Sequence, residues 1–216
     1  MNLTLDARTA TSHFPGISRY VKNLARALPS ELHPDEKLLL FHGPEQASSW
    51  IHDLVGNHQC ESSLVTASPF SLAQQWQIPR LLRKVGAQLY HSPYYLMPYW
   101  PGIPTVLTVY DLIPLRFPQF VSARARLLFR LAMTLALRAS DQVIAISEAT
   151  RQDLHRAFHL PKERIHAIPL AAGENFRPPA REEMERARAQ YNLPDEYVLY
   201  LGINKPHKNL PRLVEA

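Results

Sequence analysis

The sequence has one cysteine and only seven glycines, and these scarcities exclude several classes of protein. Cys60 has no second cysteine to pair with, so no internal disulfide forms, which fits a reducing cytosol. No Gly-x-Gly-x-x-Gly follows the first predicted strand, and no Walker phosphate loop occurs. Nicotinamide chemistry and P-loop hydrolysis are therefore disfavoured.

Long runs of one residue class are missing as well. The sequence contains no stretch of about 18 apolar residues, so no membrane-spanning helix is predicted. Its first eight residues lack the pattern of a signal peptide, and no run of Lys or Arg marks a nucleic-acid arm. We therefore expect a cytoplasmic protein without a nucleic-acid partner. The net charge of +5 favours anionic partners such as nucleotide diphosphates or phospholipid head groups, or reflects ordinary surface variation.

What is present indicates a globular α/β protein, with 46% hydrophobic and 20% charged residues. Apolar runs and helical spacing alternate along the chain. Strands are predicted at residues 3–6, 37–42, 63–67, 87–91, 105–110, 142–146 and 165–170. Helices are predicted at 17–28, closed by Pro29, at 72–84, at 123–139 and after Ser147. This alternation predicts a Rossmann-like parallel sheet with helices on both faces.

The helix at 123–139 is the most apolar of these segments. Arg126, Arg130 and Arg138 interrupt it on one stripe, which favours burial of the helix against the sheet with the arginines at the rim. A contact of that stripe with anionic lipid is the alternative.

Composition also suggests a domain boundary. The segment 176–180 contains two prolines and is typical of an interdomain linker. We predict a first domain over 1–177, a linker and charged helix over 178–196, and the first strand and loop of a second, truncated domain over 197–216. Lys205 and Lys208 lie in that last loop, where backbone N–H groups and a following helix favour phosphate.

Candidate site residues follow the predicted strands, because ligands of open α/β sheets bind beyond the carboxyl ends of strands. Gly16 permits close approach of a diphosphate or is a plain turn glycine. Asp111, after Tyr110, orients or deprotonates a hydroxyl, or caps the next turn. His91 hydrogen-bonds a sugar hydroxyl or phosphate, or has a structural role.

Ser147 and Glu148 follow a further strand, and Ser147 suits the N-cap of the next helix. His155 and His159 stand one helical turn apart, but no third ligand occurs at a fixed spacing. No metal site is predicted.

Five segments, in order, resemble the family 4 retaining glycosyltransferases, a two-domain group with the GT-B fold. Gly16-Ile17-Ser18-Arg19-Tyr20 is similar to the family's G-I-G-R-Y opening, and 108–114 is similar to its t-v-H-D-l-x-P segment. The segments 143–154, 168–178 and 201–209 resemble its S-e-x-t, f-x-P and p-R-K-N-l passages.

The resemblance implies transfer of a sugar, with mannose as one candidate, from a nucleotide diphosphate sugar to an acceptor hydroxyl. It implies retention of configuration, no metal and no cofactor beyond the donor, in polysaccharide or glycolipid assembly at the inner face of a membrane. The first domain would hold the carbohydrate or glycolipid acceptor. By this resemblance the catalytic residues are Asp111 and His91, and the substrate-binding residues are Gly16, Arg19, Tyr110, Ser147, Glu148, Lys205 and Lys208.

This sequence departs from the family pattern at two positions and stops before a third feature. Tyr110 stands where the family often has His, and His207 stands where Arg is usual, which removes a bidentate phosphate donor. The family's paired glutamates lie beyond Ala216, so the chain alone is expected to be inactive. A GT-B sugar-nucleotide epimerase and a non-catalytic module for an anionic partner remain alternatives.

Overall fold

A computed structural model describes residues 1–46, 50–56, 58–173 and 176–216. The chain divides into two compact units, Met1–Leu170 and Ala171–Ala216. The domain boundaries predicted after residues 177 and 196 stay predictions.

The first unit is built on a parallel sheet. In the described part of the chain this sheet has seven strands in the order β3-β2-β1-β4-β5-β6-β7. All adjacent strands pair in parallel. The strands are β1 (Asn2–Asp6), β2 (Lys37–His42), β3 (Cys60–Leu64), β4 (Leu89–Ser92), β5 (Thr105–Val109), β6 (Gln142–Ala145) and β7 (Ile165–Ala167). The predicted Rossmann-like sheet is confirmed.

Helices cover both faces of the sheet and connect its successive strands, except β4 and β5, which a loop joins. They are α1 (Pro15–Glu31), α2 (Trp50–Val55), α3 (Gln74–Lys84), α4 (Ile113–Arg116), α5 (Ala123–Ala139) and α6 (Glu148–Phe158). The two faces are visible in β2, where alternate side chains point in opposite directions. Leu38 and Leu40 join the apolar cluster under α1 and α2, whereas Phe41 joins the cluster under α3.

Several predicted element boundaries are wrong, among them the end of β7 at Ala167 instead of residue 170, and two of them have a clear physical cause. Helix α1 runs past Pro29 to Glu31, because a proline in the last turn removes a single helical hydrogen bond and its buried ring packs in the core. Strand β3 lies at 60–64 instead of 63–67. It is an edge strand with exposed Glu61 and Ser62, so its apolar signal is weak and the more apolar residues after it were misleading.

Helix α5 occupies the predicted residues but does not bury its whole surface. Phe129, Met133, Ala136 and Leu137 are buried against the sheet. On the other side Leu127, Leu128 and Leu131 are exposed. The predicted burial of α5 is therefore right for one face only, and an apolar strip remains at the surface.

The second unit contains α7 (Arg181–Tyr191) and α8 (Leu210–Glu215), with a 3₁₀ turn at Pro206–Lys208 between them. The strand predicted at 197–201 is not formed. The described residues of this unit supply no neighbouring strand, and a lone strand has no partner for its N–H and C=O groups. These apolar residues are accordingly exposed.

Candidate active site

The strand order locates a crevice at the carboxyl ends of β1 and β4. Connections run outward from β1 to β2 and β3 on one side, and from β4 to β5, β6 and β7 on the other. The order therefore reverses between β1 and β4. In parallel α/β sheets this topological switch point is where ligands bind.

A buried ion pair lies at the end of β1. Arg8 Nε donates to Asp6 Oδ1 at 2.8 Å, and Arg8 Nη2 donates to Asp6 Oδ2 at 2.6 Å. Tyr90 on β4 donates its hydroxyl to the same Asp6 Oδ2 at 2.6 Å. The Arg8 guanidinium also donates to the Ala67 carbonyl and to Gln74 Oε1. The network thus ties the loops after β1 and β3 and the start of α3 to one rigid frame.

Burial and charge oppose each other in this network. Burial acts to raise the pKa of Asp6, but the Arg8 charge and the hydrogen bonds from Arg8 and Tyr90 outweigh it, so the pKa lies below its usual value. Burial and the Asp6 charge raise the pKa of Tyr90. Asp6 is therefore an anion with its lone pairs in use, which makes it a structural carboxylate.

His91 lies beside this frame, on β4, and is buried. Its Nε2 shares a hydrogen bond of 2.8 Å with Thr108 Oγ1, which in turn shares one of 3.1 Å with the Tyr20 hydroxyl of α1. Burial lowers the pKa of His91 to about 4, so the imidazole is neutral at pH 7. The predicted role of His91 in substrate contact stays a prediction, since its observed partner is Thr108.

Two hydroxyls at this edge are buried without a hydrogen-bond partner among the described residues, those of Thr9 and Tyr110. The Tyr110 ring packs edge-on against Tyr20 with 5.7 Å between centroids. Burial raises the pKa of Tyr110, so its hydroxyl keeps its proton and remains a potential donor. Buried polar groups ordinarily find a partner, so these hydroxyls mark places where a water or ligand group fits.

Asp111 is exposed where β5 opens into the crevice. Its Oδ1 accepts a hydrogen bond of 3.0 Å from the Ile113 backbone N–H, which is the capping role considered from the sequence. The other carboxylate oxygen has no hydrogen-bond partner that the structure shows, in the residues it describes. Its charge also contributes, after burial and Tyr95, to raising the pKa of Tyr94. Capping and contact with an acceptor hydroxyl are thus compatible.

Gly16 and Arg19 lie in the first turns of α1 and are both exposed. A Cβ placed on Gly16 would meet nothing within 4 Å. The fold of the described residues therefore does not require glycine here, and the open space suits a ligand that approaches the backbone. The predicted contacts of Gly16 and Arg19 with substrate stay predictions.

Ser147 is the N-cap of α6, as predicted, and its Oγ accepts from the Thr150 N–H at 3.1 Å. Thr150 Oγ1 donates to the Tyr110 carbonyl, which joins the start of α6 to the end of β5. Glu148 is bound by Arg151, and hydrogen bonds from Arg151 and Gln152 lower its pKa to about 2. The structure explains Ser147 and Glu148 through local bonds, and their predicted contact with substrate is untested.

Lys205 and Lys208 belong to the second unit and are exposed; Lys205 precedes the 3₁₀ turn at Pro206–Lys208 and Lys208 is its last residue. Asn209 ends that turn in the left-handed conformation, with φ of 53°. The predicted phosphate contacts of the two lysines stay predictions.

Aromatic side chains form a row along the crevice mouth. Tyr94 packs on Phe14 with 5.3 Å between centroids, and Phe14 stacks on Phe70 at 6.0 Å. Tyr95 packs against Tyr94 on one side and Phe129 on the other. The row connects the Asp111 end of the crevice with the loop that follows β3.

Among the grooves formed by the described residues of the first unit, two are considered. One of about 650 Å³, which includes Trp100, Pro104 and Asp141, lies at the amino end of β5, away from the switch point. The other, of about 570 Å³, lies at the start of α3. We call it the α3 groove; its lining residues are Thr66, Ala67, Ser68, Ser71, Ala73, Trp76, Gln77 and Arg80. Within the described ranges no group of three or more His, Cys, Asp or Glu side chains is arranged for a metal ion.

The comparison with protein families identifies the group to which this arrangement belongs. The sequence profile of Glycosyltransferase Family 4 matches residues 15–171, which include α1, β4, β5 and α6. The chain belongs to glycosyltransferase family 4. In this family 4 glycosyltransferase, the matched G-I-S-R-Y segment and the Tyr110-Asp111 pair both lie at the carboxyl edge of the sheet.

The curated relatives of this chain include bacterial sugar transferases. O-antigen chain mannosyltransferase B of Escherichia coli is 24% identical over 213 residues, which cover 93% of this chain and 55% of that protein. Alpha-D-kanosaminyltransferase of Streptomyces kanamyceticus is 27% identical over 158 residues, 63% of this chain and 39% of the relative. The chain thus spans about half the length of the first of these relatives.

A solved structure supports the fold. The lipopolysaccharide outer core galactosyltransferase WaaB, in its apo form, superposes with a TM-score of 0.51 at 9% identity. The match covers 80% of this chain and 46% of that chain. The Rossmann-like domain of this family 4 glycosyltransferase is therefore of the GT-B type, as predicted.

Sequence reasoning missed the polar frame of the site. Asp6, the last residue of β1, and Arg8, two residues later, were a usable signal for the ion pair, because charged residues at a strand end are seldom buried unless paired. Nothing in the sequence indicated that Tyr90 and Gln74 complete it. Thr108 and Tyr20 were noted only as members of family segments.

Proposed function

We propose that the protein carrying this chain transfers a sugar from a nucleotide diphosphate sugar to an acceptor hydroxyl, with retention of configuration, in bacterial polysaccharide assembly. The observation that carries the proposal is the family 4 match over residues 15–171, which include α1, β4, β5 and α6. The mannosyltransferase names of the O-antigen relatives make mannose the first sugar to test.

The chemistry assigns a role to each exposed group. The acceptor oxygen bonds to the anomeric carbon, the bond from that carbon to the diphosphate oxygen breaks, and the hydroxyl proton leaves with the diphosphate. We propose that the free oxygen of Asp111 orients the acceptor hydroxyl. In the first unit the Gly16 N–H binds the diphosphate, whose charge grows as the bond breaks. No metal is needed in this scheme.

Nucleoside diphosphate release tests the function. We expect the protein that carries this sequence to release GDP from GDP-mannose, and more rapidly with a mannose-terminated acceptor. UDP-glucose and UDP-galactose complete the donor panel. No release from any donor would refute the proposal, and recovery of a hexose altered at C2 would favour the epimerase.

We further propose that the enzyme works in the cytoplasm at the inner face of a membrane. Among the described residues no helix is both long and apolar enough to cross a bilayer. Helix α5 instead exposes Leu127, Leu128 and Leu131 beside arginines such as Arg124, a composition that suits an interface with anionic lipid. Co-sedimentation with phosphatidylglycerol vesicles, but not with phosphatidylcholine vesicles, is the expected result.

A further inference from the structure

We propose that the α3 groove binds the inner sugars of a glycan acceptor, so that the substrate is an extended saccharide whose end reaches Asp111. This inference rests on the proposed function and names its substrate class. The groove is separate from the crevice residues described above, and it lies beyond the carboxyl end of β3 on the same edge of the sheet.

The groove carries the side-chain types that bind carbohydrate. Trp76 leaves 53% of its surface exposed, which offers an indole face to the C–H side of a sugar ring. Arg80 is exposed, and no hydrogen bond or ion pair of its guanidinium is found within the described ranges. The hydroxyls of Ser68 and Ser71 add polar groups. A flat aromatic face with a few placed polar groups is typical of small-molecule sites.

The floor of the groove is already ordered. Gln77 Oε1 accepts from the Ala67 N–H at 2.7 Å, and Gln77 Nε2 donates to Thr66 Oγ1 at 2.8 Å. The Ala67 carbonyl accepts from Arg8 at 2.9 Å. The groove is therefore joined through Arg8 to the buried frame at the switch point. Such preorganisation lowers the entropy that binding costs.

The aromatic row links the groove to the crevice. Phe70 is 62% exposed and lies in the chain between Ser68 and Ser71, which line the groove. From Phe70 the row passes through Phe14 to Tyr94, whose pKa the Asp111 charge influences. A glycan lying along this row would contact apolar ring surface from the groove to the crevice. The surface therefore fits an acceptor of several sugars better than a single sugar.

The charge of the groove disfavours a polyanion. Arg80 is the one cationic residue among the lining residues that the structure describes, and none of those residues is acidic. Binding of a nucleic acid or another polyanion depends on many Lys or Arg contacts. One guanidinium beside hydroxyls, an amide and an indole instead suits a neutral, hydroxyl-rich ligand.

Titration with saccharides of increasing length tests the proposal. Mannose, α-mannobiose and α-mannotetraose are titrated into the 216-residue chain by calorimetry, and tryptophan emission is followed in a Trp100→Phe background, in which Trp50 is buried and Trp76 is exposed. We expect affinity to rise with length and Trp76 fluorescence to change with the tetraose. We expect Trp76→Ala to weaken tetraose binding about tenfold. Trp100→Ala is the matched control, because Trp100 is 74% exposed at the opposite edge.

Two results would overturn the proposal: equal affinity for all three saccharides, including no binding, or tetraose binding that Trp76→Ala leaves unchanged. Failure of this inference differs from failure of the proposed function. In the first case diphosphate release persists and does not depend on acceptor length. In the second no donor is turned over, whatever the outcome of the saccharide titrations.

Discussion

Arg8 donates two parallel hydrogen bonds to Asp6, two residues earlier in the chain, and both side chains are at most 5% exposed. We predict that Arg8→Met lowers the free energy of unfolding by about 3–5 kcal/mol, because a buried carboxylate is left without its cation. Urea denaturation measures the loss. Asp6→Leu in the same chain should recover part of it.

The control for this prediction is Arg116→Met, which breaks the exposed ion pair with Asp153. Exposed pairs contribute about 0–1 kcal/mol, so this variant should unfold almost as the parent does. Equal losses from the two single variants would contradict the assignment of a buried frame.

Because His91 has a lowered pKa in the folded state, we predict that the stability of the protein depends on pH. Its folded pKa of about 4 lies below the unfolded value of 6.5. Above pH 6.5 the His91 imidazole is neutral in both the folded and the unfolded state, so its contribution to stability is complete. Between pH 6.5 and about 4 only the unfolded state binds the proton, so the free energy of unfolding falls by about 3 kcal/mol in total.

Denaturation curves of His91→Gln against pH check this prediction. The variant should lose much less stability across that window, whereas exposed His166→Gln should behave like the parent. Asp6 and Glu148, whose pKa values are lowered in the folded state, also begin to lose their contribution at the acidic end of this window, but they do so in parent and variant alike and cancel in the comparison. Identical slopes for parent and His91→Gln would show that His91 is not the titrating group.

Two substitutions distinguish the capping role of Asp111 from its proposed role in orienting the acceptor hydroxyl. Asp111→Asn keeps the Oδ1 acceptor for the Ile113 N–H but removes the charge, so turnover should fall on the order of 100-fold with stability unchanged. Asp111→Ala also removes the cap and should cost about 1 kcal/mol of stability. Diphosphate release and thermal unfolding report the two effects. Asp141→Asn, at the amino end of β5, should leave turnover intact.

Gly16→Ala tests the approach of a diphosphate to the start of α1. The new Cβ meets nothing within 4 Å, and alanine is favoured over glycine in helices by about 0.5–1 kcal/mol, so stability should hold or rise. The KM for the donor should nevertheless increase, because the methyl group occupies the ligand's space. An unchanged donor KM would remove Gly16 from the site. Gly56→Ala is the control.

Lys208→Ala should weaken donor binding by about tenfold while the melting temperature stays the same, since the residue is exposed and its loss removes one charge-assisted contact to phosphate. Calorimetry with the nucleoside diphosphate measures the effect. Lys162→Ala, which removes another exposed cation, should bind as the parent does.

The sequence predicted the central architecture because its periodic signals are strong. The strand at Lys37–His42 and the helix at Ala123–Ala139 were predicted to the residue. Edge strand β3 was predicted three residues too far along the chain, because its exposed face is polar. The strand predicted at 197–201 does not form, because a strand needs neighbouring strands to pair with and a local pattern does not supply them.

The candidate site was predicted unevenly for a related reason. Strand-end rules located Asp111, Gly16 and Ser147 from local sequence. The Asp6–Tyr90 contact joins residues 84 positions apart, and the His91–Thr108 contact depends on the pairing of β4 with β5. Long-range register and burial, which create both contacts, are absent from a linear pattern.

The exposed segment 197–201 has a practical consequence for anyone handling the chain. Tyr197, Val198, Leu199 and Leu201 are β-favouring or large apolar residues, uncharged and without proline, and Leu201 is 93% exposed. Such segments recruit copies of themselves as new strands, so the chain carries its own seed for aggregation. The substitution Leu199→Lys would place a charge in this segment and oppose such association, and Leu199 is not one of the crevice residues.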